Sequence, residues 1–330
     1  MSNCREFVPV SVIIPAYNGE MYVGETVDAI LKQTVLPEEV ILVDDGSTDG
    51  TLRYLKSRYG DNRIVKIISK SNGGAGDAKN FGINASRSSY LFFCDSDDIL
   101  DPEFFGVFKA ALEENDKLDL FCFGAEVFHG NGKRDVRVLQ PVSGWVGFGH
   151  QAMYDLINNK TYTAASWAYI VRNDIVTKNS LRFLGRIHED HNFSAKVYLN
   201  SKVTYRTSRV LYSQRARLGS LTRMDTISNE SISDRIAAFY SVLDLFMSFP
   251  KNEAVDMPKL IDAYIVYSYK ALVELCVPTR WILPSSVLFF FNKFNSVKVI
   301  NAKDFLMTRF PFLFFLIKKV VFIVKRRLLV

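Results

Sequence analysis

The 330 residues are 48% hydrophobic, which excludes disorder for most of the chain and allows one large domain or two smaller ones. The net charge of +6 is unevenly placed: from Arg280 onward ten Lys/Arg face one acidic residue, Asp304, leaving 31 basic and 34 acidic residues before it. That end therefore carries +9 and the remainder −3, so the body is not a basic nucleic-acid binder.

In chain order, Val10 to Ala16 (VSVIIPA) reads as a buried strand, and Tyr22 to Thr34 as a helix with Val23, Val27, Ile30 and Leu31 on one face. A second strand at Val40 to Asp44 leads into the turn residues Gly46, Ser47 and Asp49, then a helix at Thr51 to Tyr59 and a strand at Ile64 to Ser69. The glycine-rich SNGGAGDAKN precedes a short helix and the strand Tyr90 to Cys94. This alternation predicts βαβ units and a nucleotide-binding α/β half. A helix at Glu103 to Glu114 and a strand at Leu118 to Phe123 follow, and His129 to Gly149 reads as loop-rich. Beyond Asn229, Ser231 to Phe249 and Lys259 to Cys276 carry long helical patterns.

Three acidic clusters stand out: VDDGSTDGT, FFCDSDDIL and RIHEDHNF. The first two follow strand-like runs, so both deliver carboxylates to one edge of a parallel sheet, where nucleotides and metals commonly bind. Asp95 and Asp97 supply hard oxygen ligands suited to Mg²⁺ or Mn²⁺ on a diphosphate, although short acidic triplets also cap helices; Asp101 before Pro102 reads as such a cap. Asp44 and Asp45 suit either a base or ribose contact or an Asx turn. Glu189 and Asp190 suit either a general base or a solvated helix start. His188 and His191 lack a third partner and the HExxH spacing of a zinc site.

Cys4, Cys94, Cys122 and Cys276 show no metal-binding spacing, and no apolar leader precedes the first strand, so a cytoplasmic protein is expected. The final FPFLFFLIKKVVFIVKRRLLV is apolar but interrupted. Its longest uncharged stretch, Phe310 to Ile317, is far short of the roughly 20 residues that span a bilayer. On a helical wheel Lys318, Lys319, Lys325 and Arg326 share one side, which suits peripheral attachment to an anionic membrane surface at the inner face of the cell membrane; a core helix with snorkelling lysines is the plainer alternative.

Taken together, VSVIIPAYNGEMYVGETVDAILKQT, EVILVDDGSTDGT and NGGAGDAKNFGINASRSSYLFFCDSDDIL, followed by SWAYIVRNDIV, LRFLGRIHEDHNF and LYSQRARLGSLT, resemble family 2 glycosyltransferases of the GT-A fold, of the bacterial surface-polysaccharide type. The resemblance covers about two thirds of the chain. It implies a Rossmann-like nucleotide-sugar half with a mixed central sheet at residues 1–100 and an acceptor-side half with the catalytic base at 101–228, to which the helical patterns and the basic tail add a helical membrane-associating region at 229–330.

Carried over by position, the resemblance implies that Pro15, Tyr17, Asp45 and the adjacent Asp44 hold the nucleotide. Asp95 then lies near the ribose and diphosphate, and Asp97 is the Mn²⁺ or Mg²⁺ ligand with Asp95 beside it. Asp190 is the base next to Glu189, Trp167 lines the acceptor side, and Arg215 or Arg217 reaches the diphosphate. Lys79 falls in the donor-binding set, but here the chain departs from many relatives in having Lys79-Asn80 where they carry Arg-Asn, and a lysine cannot reproduce a bidentate guanidinium contact.

The implied reaction is inverting transfer of a sugar, UDP-linked by expectation, to a hydroxyl of a saccharide or lipid-linked saccharide. A sugar nucleotidyltransferase is disfavoured because PAYNGE is not a glycine- and arginine-rich triphosphate loop. A non-catalytic saccharide-binding protein is disfavoured by the intact acidic clusters.

Overall fold

A computed structural model describes residues 6–185, 188–216, 228–250, 256–278, 282–294, 298 and 302–328. The chain forms two compact units, Met1–Arg217 and Leu218–Val330.

The first unit opens with the βαβ alternation that the apolar runs dictate: β1 (Glu6–Ala16), α1 (Val23–Leu31), β2 (Val35–Asp44), α2 (Thr51–Tyr59), β3 (Val65–Ser69), α3 (Ala75–Ala85) and β4 (Tyr90–Phe93). It continues through β5 (Ile99–Leu100), α4 (Phe104–Glu114), β6 (Leu120–His129), β7 (Arg134–Val138), β8 (Gly144–Gly147) and α5 (Gly149–Asn158). A 3-10 turn at Ser166–Ala168 then leads into β9 (Tyr169–Arg172), α6 (Asn173–Lys178), α7 (Asp190–Asn200) and β10 (Thr204–Ala216).

One sheet runs in the order β3-β2-β1-β4-β9-β6-β10-β5, with β7 on β6 and β8 on β10. Strands β3, β2, β1 and β4 are mutually parallel, whereas β9 is antiparallel to both β4 and β6, which makes the sheet mixed. Residues 1–100 and 101–216 thus contribute strands to the same sheet. Because β1, β2 and β4 are parallel, the segments after Ala16, Asp44 and Phe93 emerge along one edge. The strands are buried on both faces: Val12, Ile13, Ile14, Val40 through Val43, and Leu91 through Phe93 have almost no exposure. Helix α3 sits hard against β1, where a Cβ on Gly82 would fall 2.2 Å from Ile13 Cγ2.

The stretch from His129 to Gly149, expected to be loop-rich, contains β7 and β8. Strand β7 is mostly exposed and polar, so it lacks an apolar alternation. Its pairing with β6 begins at a turn in which His129 accepts from Gly132 and donates to Lys133. The helix expected to reach Thr34 stops at Leu31, because the chain is already extended as β2 from Val35. Glu103 stands at the N-cap position of α4 without a side-chain cap bond, whereas Asp101, two residues before it, accepts from the Glu103 N–H at 2.9 Å, the contact a capping carboxylate makes.

The second unit is helical: α8 (Asn229–Ser248), α9 (Met257–Cys276), α10 (Ser285–Lys293), α11 (Ala302–Arg309) and α12 (Pro311–Leu328). Ser228 and Asp256 cap α8 and α9 by accepting from Ser231 and Lys259 N–H groups. Phe239, Phe246, Tyr264, Tyr269 and Phe290 make its core. Among the described residues no helix is long and apolar enough to cross a membrane.

Candidate functional site

The loops after β1 and β2 are stitched together at the parallel edge. Asn18 adopts a left-handed backbone (φ 48°), and its Oδ1 accepts from Thr48 N at 2.8 Å. The Asn18 and Gly19 N–H groups donate to Ser47 Oγ and Thr51 Oγ1 at 3.1 and 2.9 Å. This arrangement presents Tyr17, half exposed, beside Pro15 at the end of β1.

Asp44 and Asp45 do different work. Asp44 accepts from Ser69 Oγ at 3.0 Å and from Ser47 N at 3.4 Å, the Asx-type contact its position allows. Asp45 instead organises the glycine-rich loop, taking hydrogen bonds from Gly73 N (2.9 Å), Gly74 N (2.7 Å) and Lys70 Nζ (2.6 Å). Lys70 also pairs with Asp77 at 2.6 Å. Gly46 makes this possible: its φ is +71°, and an added Cβ would lie 2.8 Å from Asn72 N.

The same loop leads into α3, which carries the cation of the site. Lys79 Nζ, with its side chain 4% exposed, lies 2.7 Å from Asp190 Oδ1 and 3.2 Å from Glu189 Oε1, under the Phe183 ring at 4.9 Å. Burial opposes its charge, but Asp190, Glu189 and Asp95 outweigh that penalty and hold the ammonium protonated above the usual lysine range. The structure therefore pairs Lys79 with both acids of the Glu189–Asp190 cluster. Its neighbour Asn80 bonds both ways with Phe183, donating to the carbonyl at 2.9 Å and accepting from the N–H at 3.0 Å. Lys79 and Asn80 together hold the segment that delivers Glu189 and Asp190. Gly76 leaves room for it, since a Cβ there would fall 2.9 Å from Glu189 Cγ. Asp190 is the first residue of α7, where the helix dipole favours a carboxylate.

Asp95 leaves β4 into the same cluster. Withdrawal from water raises its pKa, Lys79 opposes that rise, and Asp97, Asp190 and Glu189 add to it, so the carboxyl is pushed up to about 7. Glu189 is raised too, by burial first and by Asp190, against the opposing pull of Lys79. Two carboxylates at one turn, in a neighbourhood with more anions than cations, are a donor set that suits a hard divalent cation. Among the described residues no group of three or more His, Cys, Asp or Glu could hold a metal by itself, so other ligands would come from substrate oxygens or water. His188 and His191 meet edge to face at 5.8 Å.

Arg215 clamps this turn: its Nε donates to the Asp97 carbonyl at 2.8 Å, and its guanidinium reaches Glu25 of α1 and covers the Tyr22 and Phe128 rings. Asp98, outside the expected set, accepts from Tyr212 Oη at 2.6 Å and from Arg215 N at 2.7 Å. Trp167 is buried and stacks on Tyr212 at 4.7 Å, so it braces this wall from behind rather than lining its surface. Arg217, Arg186 and Ile187 lie outside the described residues.

The structure thus gathers Lys79, Asp95, Asp97, Glu189 and Asp190, with Arg215 fixing their turn and Asp45 fixing the loop before α3. Sequence reasoning missed Lys70, Asn80, Phe183, Asp98 and Tyr212. Only the doubled acid after Asp97 offered a signal.

The Glycosyl transferase family 2 model matches residues 11–179. Chondroitin synthase of Pasteurella multocida (strain Pm70) is 45% identical over 94 residues, 28% of this chain and 10% of that protein. The poly(ribitol-phosphate) beta-N-acetylglucosaminyltransferase TarP of Staphylococcus aureus (strain N315) is 30% identical over 200 residues, 58% of each protein. The chain therefore spans about a tenth of the synthase and less than two thirds of TarP. Among solved structures, S. aureus TarS 1-349 in complex with UDP-GlcNAc is similar in fold, with a TM-score of 0.67, 20% identity and coverage of 94% of this chain and 88% of that one.

Proposed function

This chain belongs to glycosyl transferase family 2, and on that premise we propose that it moves a sugar from a nucleoside-diphosphate donor, UDP-linked, to a hydroxyl of a saccharide or lipid-linked saccharide in cell-surface polysaccharide synthesis. The observation that carries the reading is the convergence of Asp190, Glu189 and Asp95 on Lys79, at the sheet edge where the PAYN and VDDGS loops emerge. TarS, solved with UDP-GlcNAc, and TarP, named as an N-acetylglucosaminyltransferase, support a nucleotide-sugar donor.

In this reading the nucleotide lies against Pro15, Tyr17 and the loop that Asp45 organises, with its diphosphate directed to the Asp95–Asp97 turn. Asp97 and Asp95 hold Mn²⁺ or Mg²⁺, which when bound offsets the charge of the diphosphate. Asp190 accepts the proton of the acceptor hydroxyl. The acceptor oxygen bonds to the anomeric carbon as the bond from that carbon to the diphosphate oxygen breaks, and the diphosphate leaves with the electron pair. Attack from the side opposite the leaving group inverts the anomeric centre. Lys79, 2.7 Å from Asp190, fixes the orientation of that carboxylate, so the base needs no rearrangement to accept the proton.

The test is a panel of nucleotide sugars with and without Mn²⁺ or Mg²⁺, read by nucleoside-diphosphate release. Release from one UDP-sugar that depends on the divalent cation supports the reading. Release of pyrophosphate from a nucleoside triphosphate and a sugar phosphate would replace it with nucleotidyl transfer.

A further inference from the structure

The helical unit turns apolar residues outward. Along α12, Phe312, Leu313, Leu316, Ile317, Val320 and Val321 are each between 39% and 59% exposed, while Phe314, Phe315 and Lys319 between them are buried. The spacing i, i+1, i+4, i+5, i+8, i+9 makes those six residues one continuous stripe. Phe305 and Phe310, also exposed, meet edge to face at 6.5 Å and extend the apolar surface at the start of the helix.

The expected orientation of the cations is corrected by Lys319. Its ammonium donates to the Val277 carbonyl at 2.7 Å, at the C-terminal end of α9, where the helix dipole favours a positive charge. Lys318 lies over the Phe314 ring, on the same inward side. The side of α12 that a helical wheel assigns to water is thus partly spent on the protein, and the opposite side, apolar from Phe312 to Val321, is exposed there.

A stripe of this kind marks an interface. The charge around it selects the occupant: Lys298, Lys303 and Arg309 are exposed, and the chain from Arg280 onward carries ten cations against one acid. An anionic bilayer surface matches both features, offering headgroups to the cations and an acyl boundary to the stripe. No described helix is long and apolar enough to cross, so the arrangement is a helix in the plane of the interface. We propose that the outward face of α12, with Phe305 and Phe310, docks this protein on an anionic lipid bilayer. The proposal rests on the helical unit alone and stands or falls independently of the transfer reaction.

The test is co-sedimentation of the full chain with phosphatidylcholine vesicles containing phosphatidylglycerol, against pure phosphatidylcholine vesicles. The wild type is expected to pellet with the anionic vesicles and to partition at least about tenfold less onto neutral ones or at raised salt. Leu316→Glu combined with Val320→Glu, two exposed positions, should lower anionic partition at least about tenfold with the thermal melt unchanged. In a second readout, Ile317→Trp should show blue-shifted fluorescence when anionic vesicles are added. Wild type left in the supernatant, undiminished binding of the double variant, or no spectral shift would overturn the proposal. So would self-association that the double variant abolishes without any vesicle binding, which would make the stripe an interface between copies.

Discussion

Lys79 and Asp190, 111 positions apart, meet at 2.7 Å between ammonium and carboxylate, with Glu189 on the same ammonium and the Phe183 ring over it. The contact joins the α3 start, set by the glycine-rich loop, to the α7 start, and makes one cation responsible for several anions.

Removing that cation should be costly. Lys79→Met leaves Glu189, Asp190 and Asp95 without their shared counter-charge, and breaking a largely buried pair costs about 3–5 kcal/mol. Losing the ammonium also removes what holds the Asp95 and Glu189 carboxyls down, so their pKa values should rise and a pH-rate limb set by either should move to higher pH. Lys79→Arg should restore most of both. Denaturant melts and pH-rate profiles of the three proteins check this, and an unmoved acid limb in Lys79→Met would count against that coupling.

For Asp190→Asn the expectation is a fall in kcat of about 10² to 10⁴ with donor affinity nearly unchanged. Steady-state turnover alongside calorimetric titration with UDP resolves the two. Near-normal turnover would assign the proton to another group.

Gly46→Ala is expected to destabilise the fold by about 1–3 kcal/mol, since alanine is strained at φ +71° and its Cβ would press on the Asn72 N–H. The displaced loop carries Gly73 and Gly74, whose N–H groups Asp45 binds, so UDP affinity should fall as well. Thermal melts with and without UDP measure both effects.

Far from the site, Asp28 gives a pH signature. Burial pulls its pKa up, but hydrogen bonds from Arg58 and Tyr59, each 2.7 Å long, prevail and hold it below the usual carboxylate value. A depressed carboxylate adds stability that is present above its unfolded pKa and lost as pH falls through the folded value. Asp28→Asn should therefore cost about 1 kcal/mol near neutrality and progressively less as the pH falls below the ordinary carboxylate value of 3.8. A constant difference between wild-type and variant melts across that range would rule out the linkage.

Part of this was written in the chain order. The apolar runs at Val10, Val40 and Tyr90 had to become buried parallel strands, because each is too short and too continuously apolar for an amphipathic helix. That alone brings Pro15, Asp44, Asp45 and Asp95 to one edge. Helix α2 matches its expected limits at Thr51 and Tyr59, where turn residues and the helical period agree. The β7 and β8 strands were not legible, since β7 is mostly polar, β8 is only four residues bounded by glycines, and the neighbouring strands supply their pairing.

What folding alone decided is which side chains share a partner. Local periodicity places an acid at a strand end or a helix start, but it carries no information about contacts a hundred residues apart. So it could not show that Asp45 is committed to the glycine-rich loop, that Lys79 meets Asp190, or that Trp167 backs onto Tyr212. Nor could a helical wheel say which side of α12 faces inward: the wheel gives the angle between Lys319 and Leu316, and the packing of α12 beside the end of α9 sets which of them meets the solvent.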